Sequence, residues 1–218
     1  MTSEDRHSVA ETVEIIQDPD ALARQEAENG LRQYIAAMEV VRNHVNDTER
    51  PFRLRISHIL MLNRVALDGI ERMAGAFRNT GIKIGKSKHV PPDFAIVPES
   101  IEDMCDYVNG NWDASPCHLA AYLLWRLNWV HPFVDGNGRT SRMVSYMVLS
   151  IRMNGMLPGI PTIPEQIAVD KAPYYAALEA ADAAWADGEQ VDVSELEKLV
   201  EGMLAQQLYN ATTAAATH

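Results

Sequence analysis

Apolar residues recur every three or four positions over most of this chain, and the stretches where that rhythm breaks are as informative as those where it holds. Asp18-Pro19 sets a capping side chain before a proline suited to a first helical turn, and Leu22, Ala27, Leu31, Tyr34, Met38, Val41 and Val45 follow at helical spacing. This predicts a long amphipathic helix that ends in polar residues ahead of Pro51, since proline disfavours helical geometry in the residue before it. A second helix is predicted over residues 54–68, with Ile59, Leu62 and Val65 inward, and a third from a Ser100 cap to residue 109, with Ile101, Met104, Tyr107 and Val108 apolar. Ser115-Pro116 repeats the cap-plus-proline signal ahead of CHLAAYLLWRLNWV, a helix apolar around most of its circumference and therefore central. Residues 139–154 give the next helix, ended by Gly155. A proline-punctuated connector, LPGIPTIPEQI, then leads to two last helices over residues 173–186 and 193–210. Residues 1–17 have no firm period and read as a loosely attached arm.

One stretch changes character. In GIKIGKSKHVPPDFAIVP, from Gly81 onward, apolar residues alternate on either side of Gly85-Lys86-Ser87, and two prolines follow that no helix interior accepts. The pattern predicts a short β-hairpin over residues 82–90. An isolated hairpin is marginal in water, so it must lie against the helical body.

Composition narrows the function classes. With 218 residues and 47% hydrophobic content, the chain can bury a full core as one domain with helical extensions. A formal net charge of -11 argues against a nucleic-acid partner, so any phosphate binding must be local. Cys105 and Cys117 fall in different predicted helices without a second pair, which favours neither a disulfide framework nor a structural zinc site and fits the reducing cytoplasm. The acidic start MTSEDRHSVAETVEII has no apolar signal core, and the apolar runs are too short for a membrane span. The expectation is a cytoplasmic chain with no membrane partner.

The chemistry concentrates in HPFVDGNGRTSR, residues 131–142. Gly136, Asn137 and Gly138 can turn successive backbone N–H groups toward an anion, and the amides of the helix that starts beside them add to the same field. Arg139 and Arg142, three apart, share one helix face. His131, with an ordinary pKa of about 6.5, suits a general base at neutral pH. Asp135 is compatible with a plain turn before glycine, but a carboxylate beside a phosphate cradle is also how proteins hold Mg2+. Phe133 reads as packing.

This stretch resembles the signature H-x-F-x-D/E-G-N-G-R-x-x-R of Fic-domain proteins at every specified position. The resemblance implies a mostly α Fic fold, a helical bundle with a short β-hairpin flap beside the active-site loop. It also implies protein adenylyltransferase activity, moving AMP from ATP to a Tyr, Thr or Ser hydroxyl of a target protein with release of pyrophosphate. In that reading His131 is catalytic, Asp135 holds Mg2+, and Gly136, Asn137, Gly138, Arg139 and Arg142 bind the phosphates. Ile82, Lys83, Ile84, Gly85, Lys86, Ser87, Lys88, His89 and Val90 form the flap that docks the target by strand addition. A branch of the family that transfers the γ-phosphate has lysine where this chain has Gly138, which favours the AMP branch. Kinase-like or other nucleotidyl transfer, and a non-catalytic nucleotide-binding module, are the alternatives. The resemblance divides the chain into an N-terminal arm and helix (1–51), a Fic core (52–157) and a C-terminal helical extension (158–218).

Many members of the family also carry an inhibitory helix with the pattern S/T-x-x-x-E-G/N. RQEAEN, residues 24–29, matches in part and nominates Glu28, with Glu201-Gly202 as a second partial match. A homo-oligomer or a separate inhibitory partner is the other expected source of restraint.

Overall fold

Two helices form the axis of the molecule, α4 (Pro116–Val130) and α5 (Asn137–Arg152), joined only by the motif loop. The structure, a computed structural model, describes residues 8–9, 15–47, 49–85 and 87–216. The Ser115 hydroxyl caps α4 by accepting the His118 N–H at 3.1 Å, as its sequence announces. Leu119, Ala120, Leu123, Leu127 and Val130 of α4 are fully buried, and the Ser145 hydroxyl of α5 donates to the Ala120 carbonyl at 2.8 Å. Small residues at that crossing let the two backbones approach closely.

The other helices wrap this pair. On one side α1 (Pro19–Val45) and α2 (Ile56–Ala66) cover α5, while α3 (Val97–Gly110) and α8 (Ser194–Ala216) cover α4. The short α6 (Ile163–Val169) and α7 (Ala172–Ala186) fill the far side against α8. One apolar cluster runs from Ala37 and Val41 through Ile101, Leu123 and Val148 to Leu196 and Leu204, so N-terminal helix, central pair and C-terminal helices share a core.

Four details differ from the sequence reading, each for a physical reason. The face α1 buries includes Asn29 and Gln33, whereas Leu31 is 63% exposed. The two amides donate to carbonyls of α2 and the turn after it, Asn29 to Asp68 at 2.8 Å and Gln33 to Leu62 at 3.1 Å, so each buried amide has a partner. Helix α3 starts at Val97 with Pro98 in its first turn, and Ser100 is buried inside it instead of capping it. Within the proline-rich connector stands α6, where Thr162 and Glu165 form a reciprocal capping box and Pro164 sits in the first turn.

The fourth difference concerns the expected hairpin. Within residues 82–90, β2 (Lys83–Ile84) is the strand among the described residues, and its partner is not the returning limb but β1 (Ser8–Val9). The pairing is antiparallel, with Ser8 opposite Ile84 and Val9 opposite Lys83. The returning limb is held by other bonds: His89 Nε2 meets the Trp129 carbonyl at 2.7 Å, and the Pro92 carbonyl accepts from Arg78 at 2.6 Å. Pro91 and Pro92 have no N–H to offer a ladder. Lys86 lies outside the described residues.

Candidate active site

His131 ends α4 in the left-handed conformation, φ 51°, and its N–H still donates to the Leu127 carbonyl. That turn aims the chain from α4 into the loop. The ring is 4% exposed, and its Nδ1 faces the Asn128 carbonyl at 3.2 Å. A carbonyl only accepts, so Nδ1 carries the proton and Nε2 the lone pair. Burial lowers the imidazole pKa to about 4, with the Arg78 guanidinium and the neighbouring His89 adding to the effect against the opposing pull of the Asn128 carbonyl and Asp135. The ring is therefore neutral at neutral pH.

The loop closes on itself. Asn137 is 2% exposed, and its side chain accepts the Phe133 N–H at 2.9 Å and donates to the Phe133 carbonyl at 2.8 Å. Phe133 is buried against Phe77, as expected of a packing residue. From α2, the Asn63 amide donates to the Asp135 carbonyl at 3.1 Å and to the Thr140 hydroxyl at 3.2 Å, while its oxygen accepts the Gly75 N–H. Gly136 opens α5 at φ 76°, and a Cβ there would stand 3.0 Å from Leu67 Cδ1, so both conformation and space require glycine. Among the described residues no side chain caps α5, and its first-turn residues Asn137, Gly138 and Arg139 line the cleft beside it.

That cleft, about 390 Å³, is walled by His131, Asp135, Gly136, Asn137, Gly138, Arg139 and Arg142 of the motif, by Ile84 of β2, and by Glu26, Asn128, Lys171, Tyr174 and Tyr175. The structure thus brings to one wall the motif residues named from sequence for base, metal and phosphate roles. Of the flap it brings Ile84 to the wall; Lys83, Lys88 and Val90 are exposed. Lys171, Tyr174 and Tyr175 come from the start of α7 and carry no sequence signal beyond two adjacent tyrosines in a first turn. Tyr174 is tied in through its hydroxyl, which accepts from Asn128 at 2.9 Å.

Arg139 bridges two carboxylates, Asp135 at 2.8 Å and Glu26 at 2.9 Å. The α1 carboxylate that reaches the motif is therefore Glu26. Glu28 is exposed and stands off the cleft wall, because two residues along a helix turn the side chain by about 200°. Glu201 is exposed on α8, and Glu197, at the hydroxyl position of that second partial match, pairs with Ser115 and His118. Among the described residues no three His, Cys, Asp or Glu side chains gather as a metal cage. No helix among them is long and apolar enough to cross a membrane.

Fold and site together define a helical protein with a neutral, buried histidine beside a glycine-opened anion cradle. Residues 53–149 match the Fic/DOC family, and that part of the chain is a Fic domain. It is 32% identical over 132 residues to the protein adenylyltransferase fic-1 of Caenorhabditis briggsae, covering 59% of this chain and 24% of that protein. Against the protein adenylyltransferase Fic of Drosophila willistoni the identity is 31% over 157 residues, 68% of this chain and 29% of the relative. The chain thus spans about a quarter of the length of the curated relatives it matches. Among solved structures, Fic-1 from C. elegans superposes with a TM-score of 0.69 at 23% identity, over 93% of this chain and 55% of that one. A Fic domain containing signaling protein from Bacteroides thetaiotaomicron gives 0.67 at 24%, over 87% and 73%. The fold is the mostly helical Fic fold.

Proposed function

We propose that this chain transfers AMP from ATP to a hydroxyl of a target protein, with His131 as the base. The observation that carries the reading is the fixed tautomer of His131 at the wall of a cleft whose other side is the Gly136–Arg142 anion cradle. His131 Nε2 takes the proton of the incoming hydroxyl while its oxygen bonds the α-phosphorus. The bond from that phosphorus to the bridging oxygen breaks, and the pyrophosphate charge develops against the α5 amides, Arg139 and Arg142. The relatives' name, protein adenylyltransferase, supports the same reaction. Gly138 supports it over γ-phosphate transfer, because the branch of the family that transfers the γ-phosphate has lysine at this position.

Asp135 is the residue suited to Mg2+. It is one half-exposed carboxylate on the lip of the cradle, with one oxygen on Arg139, and Mg2+ is usually held by one or two carboxylates together with substrate phosphates. The ion would neutralise polyphosphate charge. Target docking falls to β2: the edge that pairs with Ser8–Val9 already carries an extended segment, which supports strand addition as the docking mode. Restraint is assigned to Glu26 instead of Glu28, since a polyphosphate must compete with the Glu26 carboxylate for Arg139. Cys105 and Cys117, both free and buried with thiols pushed up to about 12 and about 11, support the cytoplasmic placement.

The test is incubation of purified protein and cell lysate with ATP labelled at the α or the γ phosphate. Protein labelling from the α position alone is expected. Labelling from the γ position alone would move the chain to the kinase-like branch, and labelling from neither would leave it a nucleotide binder.

A further inference from the structure

Arg78 lies outside the motif and is not on the cleft wall, yet it is 3% exposed and surrounded by main-chain oxygens. Its Nε donates to the His131 carbonyl at 2.8 Å, Nη1 to Thr80 at 3.0 Å, and Nη2 to Pro92 at 2.6 Å and to Val130 at 3.4 Å. Its own backbone N–H donates to the Pro132 carbonyl at 2.9 Å. The acceptors fall into two groups. Val130, His131 and Pro132 are the end of α4 and the entry of the motif loop. Thr80 and Pro92 are the two feet of the segment that carries β2.

We infer that Arg78 is a positioning residue, joining both feet of the β2 segment to the backbone of His131 so that the docked target strand and the base keep one fixed spacing. The inference rests on the proposed reading of His131 as base and β2 as docking strand. A guanidinium suits the task because it offers five N–H donors in a rigid planar fork, whereas an ammonium offers three donors on a flexible stem. The end of α4 also needs a cation, since the Val130 and His131 carbonyls belong to the last turn, where helices leave acceptors unpaired and partial negative charge collects. Holding His131 at φ 51° requires such external bonds, because a side chain with a Cβ is disfavoured in the left-handed region. Burial lowers the Arg78 pKa and Asp93 opposes the shift; a guanidinium does not give up its proton in a protein, so the group is a cation.

The alternative is that Arg78 merely fills the core. The two roles separate on readouts other than stability. Arg78→Lys keeps the buried charge and loses the fork; Arg78→Met loses both. With the full chain and α-labelled ATP in lysate, Arg78→Lys is expected to bind ATP like the parent, by titration with a fluorescent ATP analogue, and to label proteins at least tenfold more slowly. Histidine NMR should show both nitrogens of the His131 ring sharing the proton in Arg78→Met, and its titration should move up from about 4 as the neighbouring charge is removed, with His89 and Asp135 still in place. Amides of Ile84 and Ser87 should exchange faster with D2O in both variants. Should neither variant fold, the parent alone decides: its Arg78 Nε–H must exchange as slowly as core amides. A fast-exchanging Nε–H overturns the inference, as does an unchanged His131 tautomer with unchanged protection at Ile84. Labelling that falls only in proportion to ATP binding overturns it too. If the parent transfers no AMP while the tautomer and exchange effects appear, the proposed function fails and the structural link stands.

Discussion

The motif loop and the β2 segment face each other across the cleft, and they are held in opposite ways. At its centre the loop is closed by its own residues, Asn137 returning to Phe133, four positions away, on both backbone groups, while Arg78 and Asn63 hold its flanks. Among the described residues the β2 segment makes two short bonds of its own, Ser87 N–H to the Ile84 carbonyl at 3.0 Å and His89 N–H to the Ser87 hydroxyl at 3.2 Å, and otherwise depends on distant partners, Ser8–Val9, the Trp129 carbonyl and Arg78. A turn closed over four positions keeps its own geometry when its surroundings shift. A segment tied from outside takes up whatever spacing its ties impose, which suits a surface that must receive a partner.

The largest test of this contrast is His131→Ala. Transfer from α-labelled ATP should fall by roughly 10²–10⁴-fold with ATP affinity nearly unchanged, because a base acts on the incoming hydroxyl and not on bound nucleotide. Equal loss of binding and transfer would mean that the ring supports the loop instead of the reaction.

The same ring makes stability depend on acid. Its folded pKa, about 4, lies below the ordinary value, so as pH falls from about 6.5 the unfolded chain binds a proton the folded one refuses. Stability from this group should be intact above about pH 6.5 and decline toward pH 4, by roughly 3 kcal/mol in total. Urea midpoints measured across that range should fall in the parent and fall less in His131→Ala.

Asn137→Ala strips the loop of its internal closure and leaves the buried N–H and C=O of Phe133 without that partner. A loss of roughly 1–3 kcal/mol is expected in thermal or urea unfolding. A much smaller loss would show that the loop is held from outside, like the β2 segment. The smallest effect belongs to Glu26→Gln. The ion pair with Arg139 is about half exposed on the Glu26 side, and pairs of that kind contribute about 0–1 kcal/mol. ATP should bind up to about fivefold more tightly, while Glu28→Gly leaves binding unchanged.

The same contrast explains what could be read from the sequence. The motif was legible residue by residue because its chemistry is local, and the central helices because Ser115, Pro116 and an all-round apolar stretch state their own burial. The β2 segment misled because alternation reports a strand and says nothing of its partner, which here lies more than seventy positions away. On α1 the apolar rhythm pointed to Leu31, while the buried positions include Asn29 and Gln33, which a hydrophobicity pattern scores as surface. Helix α6 had its signal in Thr162-Ile163-Pro164-Glu165, a capping box hidden by prolines read as a break. Lys171, Tyr174 and Tyr175 could not be placed at the cleft before the path of α7 was known.

The strand that pairs with β2 belongs to the same chain, and this sets a threshold for anything else that would use that edge. Val9 is only ten positions from the start of α1 at Pro19, so β1 is tethered close to its partner. A segment joined to its site through a short stretch of the same chain meets that site at an effective concentration on the order of millimolar, and dilution does not remove it. A ladder of two residues is weak by itself, so β1 can be displaced, but only by a strand whose own affinity beats that standing competitor. The edge then behaves as a filter: weak, passing peptides are turned away, and a target gains entry by adding side-chain contacts or a longer run of pairing than Ser8 and Val9 provide.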